Sequence, residues 1–409
     1  MASTTEPGSP PPPPVTVFID AERRRGLLRR VSEEGGFVYA AAAAFAASAG
    51  GDGGLAEAEA AREMAWEQLH SGPWDSVCPA WRDAYAMSCL HVAACHSLSG
   101  DDTAALRALD MGLLMGGPLL RPDLSSAVNG ILSRSAKTDA RADSHALIGN
   151  GNQVLQRLPE RSLDGTMVDR RLDIDLESFL CEYFLTGKPV VIAGSMDHWP
   201  ARTKWRDVEY LRRIAGDRTV PVEVGKNYLS TEWKQELITF SEFLDRICSV
   251  DQRPESMTYL AQHNLFDQIQ ELREDIFIPD YCYAGGGELR SMNAWFGPAG
   301  TVTPLHHDPH HNIFAQAIGK KYIRLYPAAI VEELYPYSET MLCNSSQVDL
   351  DNFDAKAFPK AQDLEFMDCV LEEGEMLYIP PKWWHYVKSL TTSFSVSFWW
   401  SSKCNTTVS

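Results

Sequence analysis

The feature that most restricts the fold is a series of short β-type runs that begins after Leu172. Each run is rich in β-branched and aromatic residues and is bounded by Gly or Pro, as is typical of strands separated by tight turns. The runs are PVVIAG, NAWFG, YIRLYP, MLYIPP and FSVSFWW. Several short strands of this kind predict a β-sandwich or barrel, with helices such as 207–214 and 240–247 packed outside it.

The first third of the chain has a different periodicity. From Ala21 to about Met115 apolar residues recur at helical spacing, with breaks at 50–54 and 71–79. Because no sequence period is evident, we interpret this region as a packed helical bundle, and a repeat-type interaction module is the alternative. The predicted fold class is therefore α+β, with an all-α N-terminal domain followed by a β domain.

Changes in composition give the predicted domain boundaries. Residues 1–20 form a proline-rich tail that cannot pack a core, residues 21–132 form the helical domain, the polar stretch 133–165 is a linker, and the β domain covers 166–403. A chain of 409 residues is long enough for each of two domains to bury a core of its own.

An alanine-rich run between Gly36 and Gly50 imitates the apolar part of a signal peptide, because arginines precede it. It begins well inside the chain and is too short to span a bilayer as a helix. We therefore predict a buried helix and no membrane segment.

Charge and cysteine usage narrow the partners and the compartment. The 37 Lys and Arg against 55 Asp and Glu leave a formal net charge of -18, which opposes direct binding to nucleic-acid phosphates and favours a basic protein or peptide partner. The nine cysteines occur singly, which predicts reduced thiols in the cytosol or nucleus.

The densest chemical signal is TVTPLHHDPHHN, residues 301–312. In a strand, side chains two residues apart share a face, so His306 and Asp308 can point together into a barrel. His385 ends the later run GEMLYIPPKWWH, where a strand meets a tight bend. Two His and one carboxylate on one face of an iron leave the opposite positions open for a co-substrate and dioxygen.

Each piece alone is weak evidence, because an HxD pair is common and a His-rich run also binds zinc or nickel adventitiously. A metal register through His310 is a further alternative. The joint spacing favours the iron interpretation: five residues separate Gly300 from His306, and five separate Gly374 from Pro380. That spacing resembles the two-part motif of cupin β-barrels.

Residues 293–312, GKKYIRLYP and IPPKWWHYV followed by SFSVSFWW resemble the Jumonji-C oxygenases. Within that family the similarity is greatest to the Jumonji-C domain-containing protein 5 group, including its plant members. It covers roughly residues 172–401, and the N-terminal helices fit the layout of the group. The resemblance implies a double-stranded β-helix (cupin jelly roll) that uses Fe(II), 2-oxoglutarate and dioxygen.

The resemblance also implies roles for individual residues. It makes His306, Asp308 and His385 the iron ligands. It assigns the 2-oxoglutarate site to Tyr259, Thr303, Asn312, Lys321 and Trp399. It places Glu223, Gln262 and Trp295 in the pocket for the target side chain. A carboxylate beside an aromatic face suits a guanidinium or an ammonium group.

Members of the group are described as arginyl hydroxylases and as histone lysine demethylases. We favour arginyl C-hydroxylation, because Glu223 can bind a guanidinium through parallel hydrogen bonds, whereas a methylated ammonium more often requires an aromatic cage. N-methyl-lysine demethylation is the first alternative and a non-catalytic cupin scaffold the second. Relatives, including plant ones linked to circadian timing, act largely in the nucleus, so we expect the nucleus and also the cytoplasm. The partner of the N-terminal helices is not predicted.

Overall fold

The computed structural model describes residues 19–48, 52–135, 148, 156–249, 257–339 and 341–402. The proline tract and most of the predicted linker lie outside these residues. The chain divides into a helical unit, which runs to Asp143 and includes Asp217–Thr219, and a β-rich unit made of the remainder.

Six α-helices make up the described part of the helical unit. They are α1 Ala21–Glu33, α2 Phe37–Ser48, α3 Asp52–Leu69, α4 Pro79–Leu98, α5 Asp102–Met115 and α6 Arg121–Ser135. Consecutive helices pack against one another, and α4 also contacts α1, α2 and α6. Apolar residues occupy nearly the whole circumference of α4 because it is the central helix of the unit.

The ends and contacts of these helices follow from local chemistry. Asp101 caps α5 by accepting a hydrogen bond from the Ala104 amide at 2.9 Å, and Pro79 occupies the first turn of α4. In α5, a Cβ added at Gly112 would come within 2.8 Å of the Leu124 side chain. The absence of a side chain there lets α5 approach α6 closely.

The alanine-rich run forms α2, but it is buried on one side only. Tyr39 is buried and its hydroxyl donates to the Ala84 carbonyl at 2.7 Å, whereas Phe37, Val38 and Phe45 are exposed. The prediction of a buried helix is therefore wrong for the outer face of α2, since only its inner face contacts other helices. None of the described helices combines the length and apolarity needed to cross a bilayer.

The β-rich unit alternates short strands with short helices. The helices are α7 Leu176–Phe179, α8 Ala201–Lys204, α9 Val208–Ala215, α10 Phe240–Cys248, α11 Leu265–Gln268 and α12 Gln270–Arg273. The strands are β1 Thr166–Met167, β2 Asp169–Leu172, β3 Val190–Ala193, β4 Thr219–Val224, β5 Lys234–Thr239, β6 Thr258–His263, β7 Glu288–Gly297, β8 Val302–His307, β9 His311–Ile318, β10 Lys321–Tyr326, β11 Met367–Leu371, β12 Met376–Ile379, β13 Trp384–Ser389 and β14 Ser393–Ser401.

The strands form two sheets that are mostly antiparallel. One has the order β1-β11-β10-β13-β8, and the other has the order β2-β3-β12-β9-β14-β7-β6-β4-β5. From β7 to β14 consecutive strands lie in opposite sheets, except that β10 and β11 are neighbours in the smaller sheet. This alternation is the connectivity of the predicted double-stranded β-helix.

Apolar side chains fill the space between the two sheets. Ile323 and Val387 from the smaller sheet meet Phe314, Trp295 and Leu377 from the larger one. The other face of the larger sheet packs against the helices around Trp205 and Phe243. Because strands alternate their side chains between two faces, polar residues that point between the sheets enter a largely apolar, enclosed space.

Candidate metal centre and the pocket beside it

Three metal-binding side chains meet where β8 and β13 pair. His306 lies in β8, Asp308 follows the end of that strand, and His385 lies directly opposite His306 in β13. One ligand atom from each residue lies within 4.8 Å of the other two, and the three side chains are largely buried. Within the described residues this is the single group of His, Cys, Asp and Glu with that geometry.

Hydrogen bonds to backbone carbonyls orient both imidazoles. His306 Nδ1 lies 2.8 Å from the Pro304 carbonyl and His385 Nδ1 lies 3.0 Å from the Trp383 carbonyl. A carbonyl oxygen can only accept, so Nδ1 of each ring carries a hydrogen, and in the neutral form of the ring Nε2 is the atom with the lone pair. The two Nε2 atoms face the Asp308 carboxylate, at 3.9 Å and 3.6 Å.

Burial changes the proton affinity of the group. It raises the pKa of Asp308 above its ordinary value and holds the pKa of His385 well below its usual range. Neutral imidazoles are the form that binds a metal, and a bound cation offsets the cost of burying the carboxylate. Two nitrogen donors and one oxygen donor on one side of a cavity therefore fit Fe(II).

A pocket between the sheets adjoins this group. Ten side chains line it, and they are Tyr259, Trp295, Thr303, His306, Asp308, Asn312, Phe314, Ile379, His385 and Val387. Three of the residues predicted for 2-oxoglutarate, Tyr259, Thr303 and Asn312, are therefore together beside the three predicted iron ligands. The Oδ1 atom of Asn312 is buried and has no hydrogen-bond partner within the described part of the chain.

Lys321 is a fully buried lysine at the start of β10. Its Nζ lies 3.2 Å from the Tyr259 hydroxyl and 5.1 Å from the centre of the Phe314 ring. Among the described residues no carboxylate forms an ion pair with it, and burial lowers its pKa to about 7. A buried lysine that has no carboxylate partner among the described residues, in a region that also contains the unpaired Asn312 amide oxygen, fits a dicarboxylate, which would supply the missing negative charge.

Trp399 is not among the side chains that line the pocket. It sits in β14, opposite Asn312 in β9, and is partly exposed. Its Nε1 atom is buried and lacks a partner among the described residues, and its ring lies 5.9 Å from that of His310. The sequence prediction that it packs near the co-substrate stays a prediction.

The three residues predicted for the target side chain are not equally placed. Glu223 in β4 is opposite Tyr259 in β6, and burial raises its pKa. Trp295 lines the pocket, with its ring 6.2 Å from Tyr259 and its Nε1 donating to Ser397 at 2.9 Å. Gln262 is exposed and has φ +46° at an irregularity in β6.

Two further residues near the group were not predicted from sequence. Tyr228 lies near both Glu223 and Asp308, since their charges add to the effect of burial in raising its pKa to about 12. Its hydroxyl lies 3.0 Å from Ser345 Oγ, and Ser345 forms an isolated bridge with His306. Both residues lie in loops without a regular pattern, so sequence spacing could not bring them to the site.

Two family comparisons agree with this geometry. Residues 176–406 match the family described as a cupin-like domain, and residues 16–145 match the description "KDM8-like, N-terminal ARM repeats". The chain is 61% identical over 379 residues to Lysine-specific demethylase JMJ30 of Arabidopsis thaliana. The aligned residues cover 87% of this chain and 88% of that protein. The chain belongs to the Jumonji-C family of 2-oxoglutarate oxygenases.

Animal relatives are also similar over most of the chain. Lysine-specific demethylase 8 of Danio rerio is 42% identical over 355 residues, 84% of this chain and 87% of that protein. Jumonji C domain-containing protein 5 of Drosophila melanogaster is 36% identical over 351 residues, 82% of this chain and 84% of that protein. The fold class and the family predicted from sequence are thus confirmed.

The N-terminal match corrects one interpretation. We favoured a plain helical bundle, whereas this Jumonji-C oxygenase has N-terminal helices that match ARM repeats. Such repeats are units of stacked helices held by contacts between neighbours. Their sequence period was not visible because the helices differ in length, from 12 residues in α2 to 20 in α4.

The extra histidines of the 301–312 run have separate surroundings. His311 stacks on Phe184 at 4.6 Å and on Trp400 at 5.1 Å, and its Nδ1 lies 2.9 Å from the Tyr378 hydroxyl. Burial lowers its pKa to about 4, which is typical of a core histidine. His310 is not part of the three-residue group, so the geometry gives the alternative register no support.

Proposed function

We propose that this oxygenase removes methyl groups from N-methylated lysines of proteins, using Fe(II) and 2-oxoglutarate. The observation that carries the proposal is its similarity, over most of the chain, to proteins named lysine-specific demethylases: JMJ30 of Arabidopsis thaliana and lysine-specific demethylase 8 of fish and frog. The surroundings of Glu223 support it, because the phenols of Tyr228 and Tyr259 both lie close enough for its charge to affect their pKa values.

In this proposal His306, Asp308 and His385 hold the iron. The bound iron and co-substrate supply oxidation of a C–H bond by dioxygen, with release of succinate and carbon dioxide. Lys321 pairs with the distal carboxylate of 2-oxoglutarate, and Tyr259, Thr303 and Asn312 offer hydrogen bonds to it. Trp399 packs beside this site. The apolar walls around them exclude water and hold the reacting groups close together.

The target side chain would enter beside Glu223 and Trp295, with Gln262 at the rim. A carboxylate and aromatic rings around one space attract a methylated ammonium through its positive charge and the faces of the rings. Hydroxylation of the N-methyl carbon gives an unstable carbinolamine, which breaks its C–N bond to release formaldehyde and leaves the lysine with one methyl group fewer.

Arginyl C-hydroxylation is the second candidate. The partly buried carboxylate of Glu223 favours it, because a carboxylate can form two parallel hydrogen bonds with a guanidinium. The product differs: the oxygen stays on the arginine side chain and no formaldehyde forms.

Mass spectrometry of peptides treated with the iron-loaded protein, 2-oxoglutarate and dioxygen tests the proposal. We expect loss of methyl groups from N-methyl-lysine peptides with stoichiometric formaldehyde and succinate. Oxygen retained on arginine without formaldehyde would replace the proposal with the second candidate.

Variants that lack a proposed ligand give the control. His306→Ala and Asp308→Ala should abolish both peptide oxidation and iron-dependent succinate release, because removing a ligand weakens the metal site. If the wild-type protein, pure and loaded with iron, releases no succinate with a broad peptide panel, a non-catalytic scaffold becomes the better explanation.

We further propose that the protein acts on basic proteins in the nucleus and also in the cytoplasm, without contacting nucleic acid directly. The net charge of -18 supports a basic protein partner over a polyanion. Fluorescence of the tagged protein in living cells tests the location, and exclusion from nuclei would contradict it.

A further inference from the structure

The turn between β12 and β13 has an unusual backbone conformation. Its residue Lys382 is exposed and has φ +63°, in the left-handed region that favours glycine. Two prolines, Pro380 and Pro381, precede it and restrict the backbone on that side. The hydrogen bonds that fix this turn run through its backbone.

Two of those contacts lead to proposed iron ligands. The Lys382 amide donates a hydrogen bond to the Asp308 carbonyl at 2.7 Å. The next residue, Trp383, accepts a hydrogen bond through its carbonyl from His385 Nδ1 at 3.0 Å. The turn itself is closed by the Trp383 amide, which donates to the Pro380 carbonyl at 3.3 Å.

Asp308 depends on the turn because it lies beyond the strand ladder. The paired register of β8 and β13 ends at His307 opposite Trp384. Asp308 is the next residue, and the Lys382 amide holds its carbonyl from across the gap. The φ and ψ angles of Lys382 set the direction in which the chain enters Trp383, and the Trp383 carbonyl orients the His385 ring.

We propose that the left-handed conformation of Lys382 positions Asp308 and His385 for the metal. Lys382 is then a positioning residue that acts through its backbone, and its side-chain charge is dispensable. The proposal rests on the metal site assigned under the proposed function, but it does not depend on which side chain the enzyme oxidises.

Substitutions that differ in their tolerance of positive φ test this role in the full-length protein. Glycine and asparagine adopt the left-handed region readily, whereas β-branched valine strongly resists it. The probe is Co(II) alone, whose visible absorption reports both affinity and the arrangement of its ligands. We expect Lys382→Gly and Lys382→Asn to bind Co(II) within about twofold of the wild type, and Lys382→Val to bind it roughly three- to tenfold more weakly with an altered spectrum.

Arg161 provides a matched control. It is exposed, lies in the same β-rich unit and has φ +62°, but it contacts none of the three proposed ligands. Arg161→Val also loses a hydrogen bond to the Gln362 carbonyl and a contact with the Phe366 ring, so it should lower the melting temperature of the metal-free protein at least as much as Lys382→Val does. Only Lys382→Val should weaken Co(II) binding. If Lys382→Val does not fold, Lys382→Ala replaces it, with a smaller expected effect of about two- to threefold.

Three results would overturn the proposal. If Lys382→Val binds Co(II) with wild-type affinity, the turn is purely structural. If Lys382→Gly weakens Co(II) binding as much as Lys382→Val does, the effect belongs to the lysine side chain. If Arg161→Val weakens Co(II) binding equally, the effect comes from lost stability. If His306→Ala binds Co(II) as the wild type does, the metal assignment itself fails. A wild type that binds Co(II) but oxidises no peptide affects only the proposed function.

Discussion

At the scale of single residues, Lys321 gives the clearest pH dependence. Burial lowers its pKa to about 7 in the free protein, and a bound dicarboxylate favours the charged form. Above that pH the free lysine is neutral, so binding of 2-oxoglutarate must take up a proton. We expect the Kd for 2-oxoglutarate, measured calorimetrically, to rise as pH increases from 7 to 9, approaching about tenfold per unit.

A substitution that removes the charge of Lys321 distinguishes its contribution to the pH dependence of 2-oxoglutarate binding from that of other titrating groups. Lys321→Met should weaken 2-oxoglutarate binding by roughly tenfold or more and should flatten its pH dependence, because a charge-assisted hydrogen bond is lost. Lys320→Met is the matched control, since Lys320 is exposed and pairs with Glu372 at 2.7 Å. The same pH dependence in Lys321→Met would disprove the role of this lysine.

Glu223 supports a second prediction at this scale. Glu223→Gln keeps the shape of the side chain and removes its charge, so the KM for a cationic peptide should rise about tenfold or more. The KM for 2-oxoglutarate should stay within about twofold, because the site that we propose for that dianion is formed by Lys321 and its neighbours. Steady-state kinetics with each substrate varied in turn measures both values. An unchanged peptide KM would remove Glu223 from the target pocket.

The residues that sequence could supply were those in regular strands. Strand alternation predicted that His306 and Asp308 share a face, and pairing of neighbouring strands could bring His385 beside them. Thr303 and Asn312 came from the family resemblance, and all five lie within or beside paired strands at the pocket. Tyr228 and Ser345 could not be found in this way, because their positions depend on loops that pack together only in the folded chain.

At the scale of elements, prediction succeeded where one physical rule determined the structure. Runs of β-branched residues bounded by Gly and Pro gave strands such as β3, β10 and β14, and the apolar period gave α9 and α10 within one residue at each end. The prediction that α2 is buried was wrong for its outer face, because composition alone does not reveal which side of an apolar helix has neighbours.

The two faces of α2 predict different mutational effects. Tyr39→Ala should cost about 3–5 kcal/mol, because it leaves a cavity and removes a buried hydrogen bond to Ala84. Phe37→Ser should change stability by less than about 0.5 kcal/mol, since Phe37 is 69% exposed. Urea unfolding followed by the helical circular dichroism signal compares them. Equal losses would show that a further contact covers the outer face in solution.

At the scale of the whole molecule, charge governs which substrates approach. A net charge of -18 attracts basic peptides at long range and repels polyanions, and both effects weaken once the Debye length falls below about 10 Å. Sequence alone provides this property, since it depends on composition and not on the fold. The identity of the oxidised residue does not follow from net charge, because it depends on short contacts inside the target pocket, which we propose lies beside Glu223.

Salt dependence therefore distinguishes attraction to the surface from recognition in the pocket. For a lysine-methylated peptide with several flanking arginines, kcat/KM should fall several-fold between about 50 and 300 mM salt, because association is steered by charge. The same peptide with its flanking arginines replaced by glutamine should start lower and depend little on salt. Stopped-time assays of formaldehyde at substrate concentrations below KM provide the ratio directly. Equal salt dependence for the two peptides would show that the net charge of the protein does not assist capture of the substrate. Any preference for a basic substrate would then have to come from short-range contacts such as those proposed for Glu223.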